Sequence, residues 1–175
     1  SSPKDSIQAG IGMVHQHFKV IEVMTAAENV LLGQKGGLLF KKEETAKISA
    51  ISEQYHLQVD LDKIVGEMSV GEKQNLEILK VLYRGARILI LDEPTAVLTP
   101  QETERLFQIM RKMKENGCAV IFISHKMNEV MEITDRVTVL RKGTTVQTLN
   151  TSETNPKELT ELMVGRKMDL SVVRL

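Results

Sequence analysis

Apolar and polar positions along this chain follow two periods. Residues 11–15, 88–91 and 119–123 are short and nearly continuous apolar runs, which predict buried strands. Residues 135–141 and 144–149 flank Lys142-Gly143 and predict two further strands joined by a turn. Elsewhere the spacing is helical. Residues 101–116 place Leu106, Ile109, Met110 and Met113 on one stripe, and Gly117 stops it. Residues 70–84 carry Leu76, Leu79 and Tyr83 at helical spacing and stop at Gly85. A more polar helix is predicted over 42–55, and shorter ones over 127–133 and 156–164.

Buried strands alternating with helices predict an α/β fold with a largely parallel sheet. Residues 25–84 hold no convincing strand and read as a helical insertion between the strand at Ile11 and the strand at Ile88. The expected organisation is therefore a core of 1–24 and 85–150, a helical subdomain of 25–84, and a tail of 151–175. Gly33-Gln34-Lys35-Gly36-Gly37 is the one glycine-rich stretch, and the chain has no internal repeat.

Composition narrows the function classes. The 175 residues carry 23 Lys plus Arg against 23 Asp plus Glu, so the formal net charge is zero and the basic excess of a nucleic-acid binder is missing. Cys118 is the single cysteine, which excludes a disulfide framework and a cysteine zinc site. No apolar run approaches the ~20 residues of a spanning helix. Ser1-Ser2-Pro3-Lys4-Asp5 has no apolar stretch behind it, so no signal peptide is expected there.

The candidate chemistry sits where the apolar runs end in polar groups: Gln16 after the first, Asp92-Glu93 after the second, Ser124-His125 after the third. In open parallel sheets ligands bind at the carboxyl ends of the strands. An amide, two carboxylates and an imidazole on one crest suit metal-assisted attack of water. Asp92 straight after a buried strand has the pattern that holds Mg²⁺ beside substrate phosphates, and Glu93 can act on a water as general base. Ser69 and Glu72 have capping-box spacing, and Gly71 leaves the first turn bare, which makes a helix N-terminus open to an anion.

The order of these motifs resembles the ATP-binding subunits of ABC transporters. Gln16 resembles the Q-loop glutamine. Met68-Ser69-Val70-Gly71-Glu72 resembles the signature motif, and Ile88-Leu89-Ile90-Leu91-Asp92 with Glu93 resembles Walker B and the catalytic glutamate. Ala96-Val97-Leu98-Thr99 holds the D-loop position, and His125 resembles the switch histidine. Gly12-Met13-Val14-His15-Gln16-His17-Phe18, Ala27-Glu28-Asn29-Val30 and Glu161-Leu162-Met163-Val164-Gly165-Arg166 are similar to the simple-sugar and nucleoside uptake group, in which two ATPase halves share one polypeptide. The pattern departs from the family in three places. Val70 and Glu72 stand where Gly and Gln are commonest in the signature, Thr99 replaces the usual D-loop aspartate, and no Gly-Lys dipeptide of a phosphate loop occurs.

The resemblance implies a partial P-loop NTPase sheet with an inserted helical signature subdomain, cut from the first ATPase half. It implies ATP and Mg²⁺ as substrate and cofactor. Asp92 and Gln16 would serve the metal, Glu93 the attacking water and His125 the γ-phosphate, while Ser69 and Gly71 would face the ATP of the opposite domain. The implied partners are transmembrane permease subunits, a second ATPase half and, indirectly, a binding protein outside the membrane, with the chain peripheral on the cytoplasmic face. The chain alone, lacking a phosphate loop, is expected to be inactive. The competing readings are a non-catalytic module that lends its signature helix to a partner, and an ABC ATPase outside transport.

Overall fold

A computed structural model describes residues 3–33 and 42–165. Residues 34–37 of the glycine-rich stretch and 166–175 of the tail lie outside the described residues. The chain forms two compact units, Ser1–Ile123 and Ser124–Leu175.

The first unit is built on three parallel strands, β1 (Ile11–Val14), β2 (Ile88–Asp92) and β3 (Ala119–Ile123), in the order β1-β2-β3. Val14 lies beside Leu91 and Leu91 beside Phe122, so the three carboxyl ends share one edge. The helices are α1 (Pro3–Gln8), α2 (Ala26–Leu31), α3 (Lys42–Gln54), α4 (Val70–Tyr83) and α5 (Pro100–Glu115). The predicted α/β architecture with a parallel sheet is present. Helices α1 and α2 have six residues each, too few for a helical period to register. Local chemistry marks α2 instead: the Glu28 N–H donates to Thr25 Oγ1 and the Thr25 N–H donates to Glu28 Oε2, a complete capping box.

Side-chain alternation decides how the sheet packs. Gly12, Val14, Leu89, Leu91, Val120 and Phe122 share one face, on which Leu89 and Leu91 are wholly buried. Helices α4 and α5 both lie against it. A β-carbon on Gly12 would come within 2.8 Å of Val81 Cβ on α4, so that position requires glycine for close approach. The Phe107 ring on α5 meets Phe122 edge-on, with centroids 6.1 Å apart. The other face carries Met13, Ile121 and Ile123, which are 37%, 49% and 44% exposed. The apolar runs predict strands buried on both faces, and β3 corrects that expectation: its two isoleucines point away from the face that α4 and α5 cover.

The second unit contains α6 (Met127–Ile133), β4 (Arg136–Arg141), β5 (Thr144–Asn150) and α7 (Pro156–Val164). Strands β4 and β5 pair antiparallel around Lys142-Gly143, where both residues have positive φ, as the mirror-image turn of a two-residue hairpin demands. The Thr151 N–H closes the base of the hairpin on the Asp135 carbonyl at 2.9 Å. Asn155 caps α7 and Pro156 fills its first turn.

Burial asymmetry across the sheet gives a direct test. Leu89→Ala is expected to lower unfolding stability by about 2–5 kcal/mol. Ile121→Ala, on the open face, is expected to cost markedly less in the same urea titration. Equal losses would show that both faces are packed alike.

Candidate functional site

Strand β2 delivers two carboxylates in succession. Asp92 is its last residue, half-buried beside Ile123 of β3. Glu93 follows with φ of +46°, in the left-handed region that a branched or long side chain rarely occupies. Such a conformation costs on the order of 1–3 kcal/mol and persists where surrounding bonds impose it. Here the Glu93 N–H donates to the Ile123 carbonyl at 2.9 Å, and the Ala96 N–H donates to the Glu93 carbonyl at 3.2 Å. Pro94 and Thr95 are buried beneath this turn, and one carboxylate oxygen of Glu93 is itself buried.

Gln16 leaves β1 two residues after Val14 and is exposed. Because Val14 pairs with Leu91, Gln16, Asp92 and Glu93 leave adjacent strands at the same edge of the sheet. His125 is exposed and belongs to the second unit, where the Lys126 N–H donates to Ser124 Oγ at 3.0 Å. Asp92 and Gln16 offer hard oxygen donors of the kind Mg²⁺ takes together with water and phosphate oxygens. Among the described residues no group of three or more His, Cys, Asp or Glu could hold a metal ion by itself.

The segment after Gln16 is tied to α4 and α2. The Lys19 N–H donates to Glu77 Oε2 at 3.3 Å, while Lys80 Nζ donates to the Lys19 carbonyl at 2.6 Å and to Glu77 Oε1 at 2.7 Å. The Glu77 and Lys80 side chains are only 6% and 12% exposed, so this pair is shielded from solvent. The Asn29 carboxamide clasps both backbone groups of Ile21, at 2.8 and 3.0 Å. Lys73 pairs with Glu22 at 2.8 Å and holds its carboxyl below the ordinary range. Between this segment and α4 runs a groove of about 400 Å³ lined by Gln16, Phe18, Glu22, Val70, Lys73 and Val97.

Ser69 is the N-cap of α4. The Glu72 N–H donates to Ser69 Oγ at 3.2 Å and the Ser69 N–H donates to Glu72 Oε2 at 2.7 Å. Lys63 Nζ reaches both Glu72 oxygens, at 2.8 and 3.0 Å, and is the first cause of a Glu72 carboxyl held below its ordinary value. The Glu72 carboxylate is thus balanced by a cation from its own chain. Gly71 has no positive φ. A β-carbon there would lie 2.6 Å from Glu102 Oε1 on α5. Beside it opens a pocket of about 760 Å³ lined by Ser69, Gly71, Gln74, Glu102 and Arg105 among others. Lys63, Gln74 and Glu102 were not singled out from the sequence. Thr99-x-x-Glu102 repeats the spacing of Ser69-x-x-Glu72, a signal that could have drawn attention to Glu102.

Residues 2–96, just over half of the chain, match the ABC transporter family, and the chain belongs to that family. It is 46% identical over 170 residues to the nucleoside import ATP-binding protein NupA of Lactococcus lactis, covering 95% of this chain and 34% of that protein. It is 48% identical over 171 residues to the guanosine import ATP-binding protein NupO of Bacillus subtilis, covering 96% and 34%. Against the ribose import ATP-binding protein RbsA of Hahella chejuensis the identity is 44% over 171 residues, covering 95% and 34%. The chain therefore spans about a third of the length of the curated relatives it matches. A solved ATP-binding cassette of an ABC transporter in its ADP conformation superposes with a TM-score of 0.76 at 22% identity, over 92% of this chain and 67% of that one. A nucleotide-free cassette gives 0.76 at 20% identity, over 99% and 73%. The fold is that of an ATP-binding cassette. No described helix is long and apolar enough to cross a membrane.

The Lys63–Glu72 pair carries a pH signature. A carboxyl with a depressed folded value stabilises the fold above its ordinary value, and that contribution is lost as pH falls through the folded value. Lys63→Met is expected to raise the Glu72 titration midpoint in carboxyl-resolved NMR and to flatten the acid limb of the stability curve. An unmoved midpoint would show that the ion pair does not form in solution.

Proposed function

We propose that this chain is part of an ATP-hydrolysing cassette that powers import of a simple sugar or a nucleoside through an ABC transporter. The observation that carries the reading is the shared strand edge, where Gln16, Asp92 and Glu93 emerge side by side in the motif order of the family. The nucleoside, guanosine and ribose import proteins among its relatives support the substrate class.

The roles follow from chemistry. ATP is the substrate, and bound Mg²⁺ would neutralise charge on its phosphates, held by Asp92 with Gln16 beside it. Glu93, fixed by its backbone turn, orients and polarises the attacking water. His125 contacts the γ-phosphate, and Gln16 reports its presence. Ser69 and Gly71 offer the start of α4 to the nucleotide of a second ATPase half, where the helix dipole favours an anion. The anchored segment after Gln16, with exposed Ile21 and Val23, meets a transmembrane permease subunit, and a binding protein outside the membrane acts indirectly through that permease. The assembly sits on the cytoplasmic face of the membrane. The 175 residues hold no Gly-Lys phosphate loop, so this chain alone neither binds ATP tightly nor turns it over.

The test is Glu93→Gln in the full-length protein. Hydrolysis is expected to fall on the order of 10²–10⁴-fold, the range of a lost general base, with ATP binding retained in a filter assay. Turnover at the wild-type rate would remove Glu93 from the chemistry. Micromolar ATP binding by this chain in calorimetry would contradict the expected inactivity.

A further inference from the structure

We propose that Glu102 is a positioning residue that locks the first turn of α4, with Ser69 and Gly71, to the first turn of α5, so that both helix starts meet an incoming phosphate as one body. The proposal rests on the reading of Ser69 and Gly71 as the surface offered to the nucleotide of the second half.

One carboxylate serves two helices here. Glu102 Oε2 accepts from the Thr99 N–H at 2.9 Å and from Thr99 Oγ1 at 3.0 Å, and the Glu102 N–H donates back to Thr99 Oγ1 at 3.2 Å. That completes the cap of α5 and uses a single oxygen. Oε1 is directed to α4 and fills the place where a side chain at position 71 would begin. The other two capping boxes differ. Glu28 bonds the Thr25 backbone, and Glu72 bonds Ser69 and Lys63, each beside its own helix start.

Charge explains why the bridging group is a carboxylate. The amino ends of α4 and α5 both carry positive partial charge, and bringing them together without a counter-charge is unfavourable. The backbones of Thr99 and Gly71 and the Arg105 cation hold the Glu102 carboxyl below its ordinary range. Gly71 is the complementary half of the device, since a β-carbon there would displace the Glu102 carboxylate from its place against α4. On the other side of the α5 cap, the chain runs back through Pro94 to the backbone turn of Glu93. The clamp therefore also sets one end of the segment that carries the candidate base.

The experiment has two arms. In this chain, thermal unfolding is compared for Gly71→Ala, Glu102→Ala and the double variant. Gly71→Ala is expected to lower the midpoint when Glu102 is present and to have little effect when it is absent. Additive shifts would overturn the contact. In the full-length ATPase, Glu102→Ala is expected to reduce kcat about 10²-fold, as a small misplacement of catalytic groups does, with ATP affinity unchanged. Glu102→Gln keeps the shape and an acceptor oxygen and is expected to recover most of the turnover. Unchanged or faster turnover in Glu102→Ala, or a loss of ATP affinity in place of kcat, overturns the proposal. A wild-type protein without ATP turnover would overturn the functional reading and the role in closure, and the first arm would still report the contact separately.

Discussion

The parallel register of β1, β2 and β3 is the constraint on which the first unit depends. Parallel strands cannot be joined by tight turns, so each must hand over to a long crossover. With Val14, Leu91 and Phe122 in register, those exits fall together at one edge. Gln16, Asp92 and Glu93, placed just beyond apolar runs in distant parts of the sequence, are thereby brought to that edge. The Glu93 N–H to Ile123 carbonyl bond extends the ladder one residue past the end of β2 and carries the backbone into its unusual turn.

Helix α4 is the second organiser, because nearly every side of it is engaged. Val81 packs on Gly12 of the sheet, and Asn75 Nδ2 donates to the Leu57 carbonyl at 2.9 Å beyond the end of α3. Tyr83 bonds Glu44 on α3, and burial together with that carboxylate pushes the phenol up to about 12. Glu77 and Lys80 fix the segment that follows Gln16. A displacement of the first turn of α4 therefore has mechanical consequences in both the helical region and the loop beside Gln16. Buried polar groups of this kind specify geometry more than they add stability.

Much of this was legible in the sequence, for physical reasons that differ by element. Strands β1 to β3 declared themselves by dense apolar runs, and α5 by four core residues on one stripe. The hairpin was marked by Lys142-Gly143. Gln16, Asp92 and Glu93 stand out as candidates because each follows an apolar run and together they keep the motif order of the family. Helices α1 and α2 were too short to show a period. The openness of one sheet face was invisible, since Ile121 and Ile123 read the same whether covered or not. Glu102 was overlooked because its role lies in a contact with Gly71 across 31 positions of sequence (102 − 71), which no local spacing encodes. The Lys63–Glu72 pair escaped for a related reason: the capping box was visible, but the cation that balances it was not.

The left-handed backbone at Glu93 sets an evolutionary tension at that position. Glycine or asparagine would occupy this φ at lower conformational cost. A library screened for expression or heat tolerance alone will accordingly drift toward those residues and discard the carboxylate. Retention of glutamate in such a screen would show that its side-chain contacts offset that backbone cost.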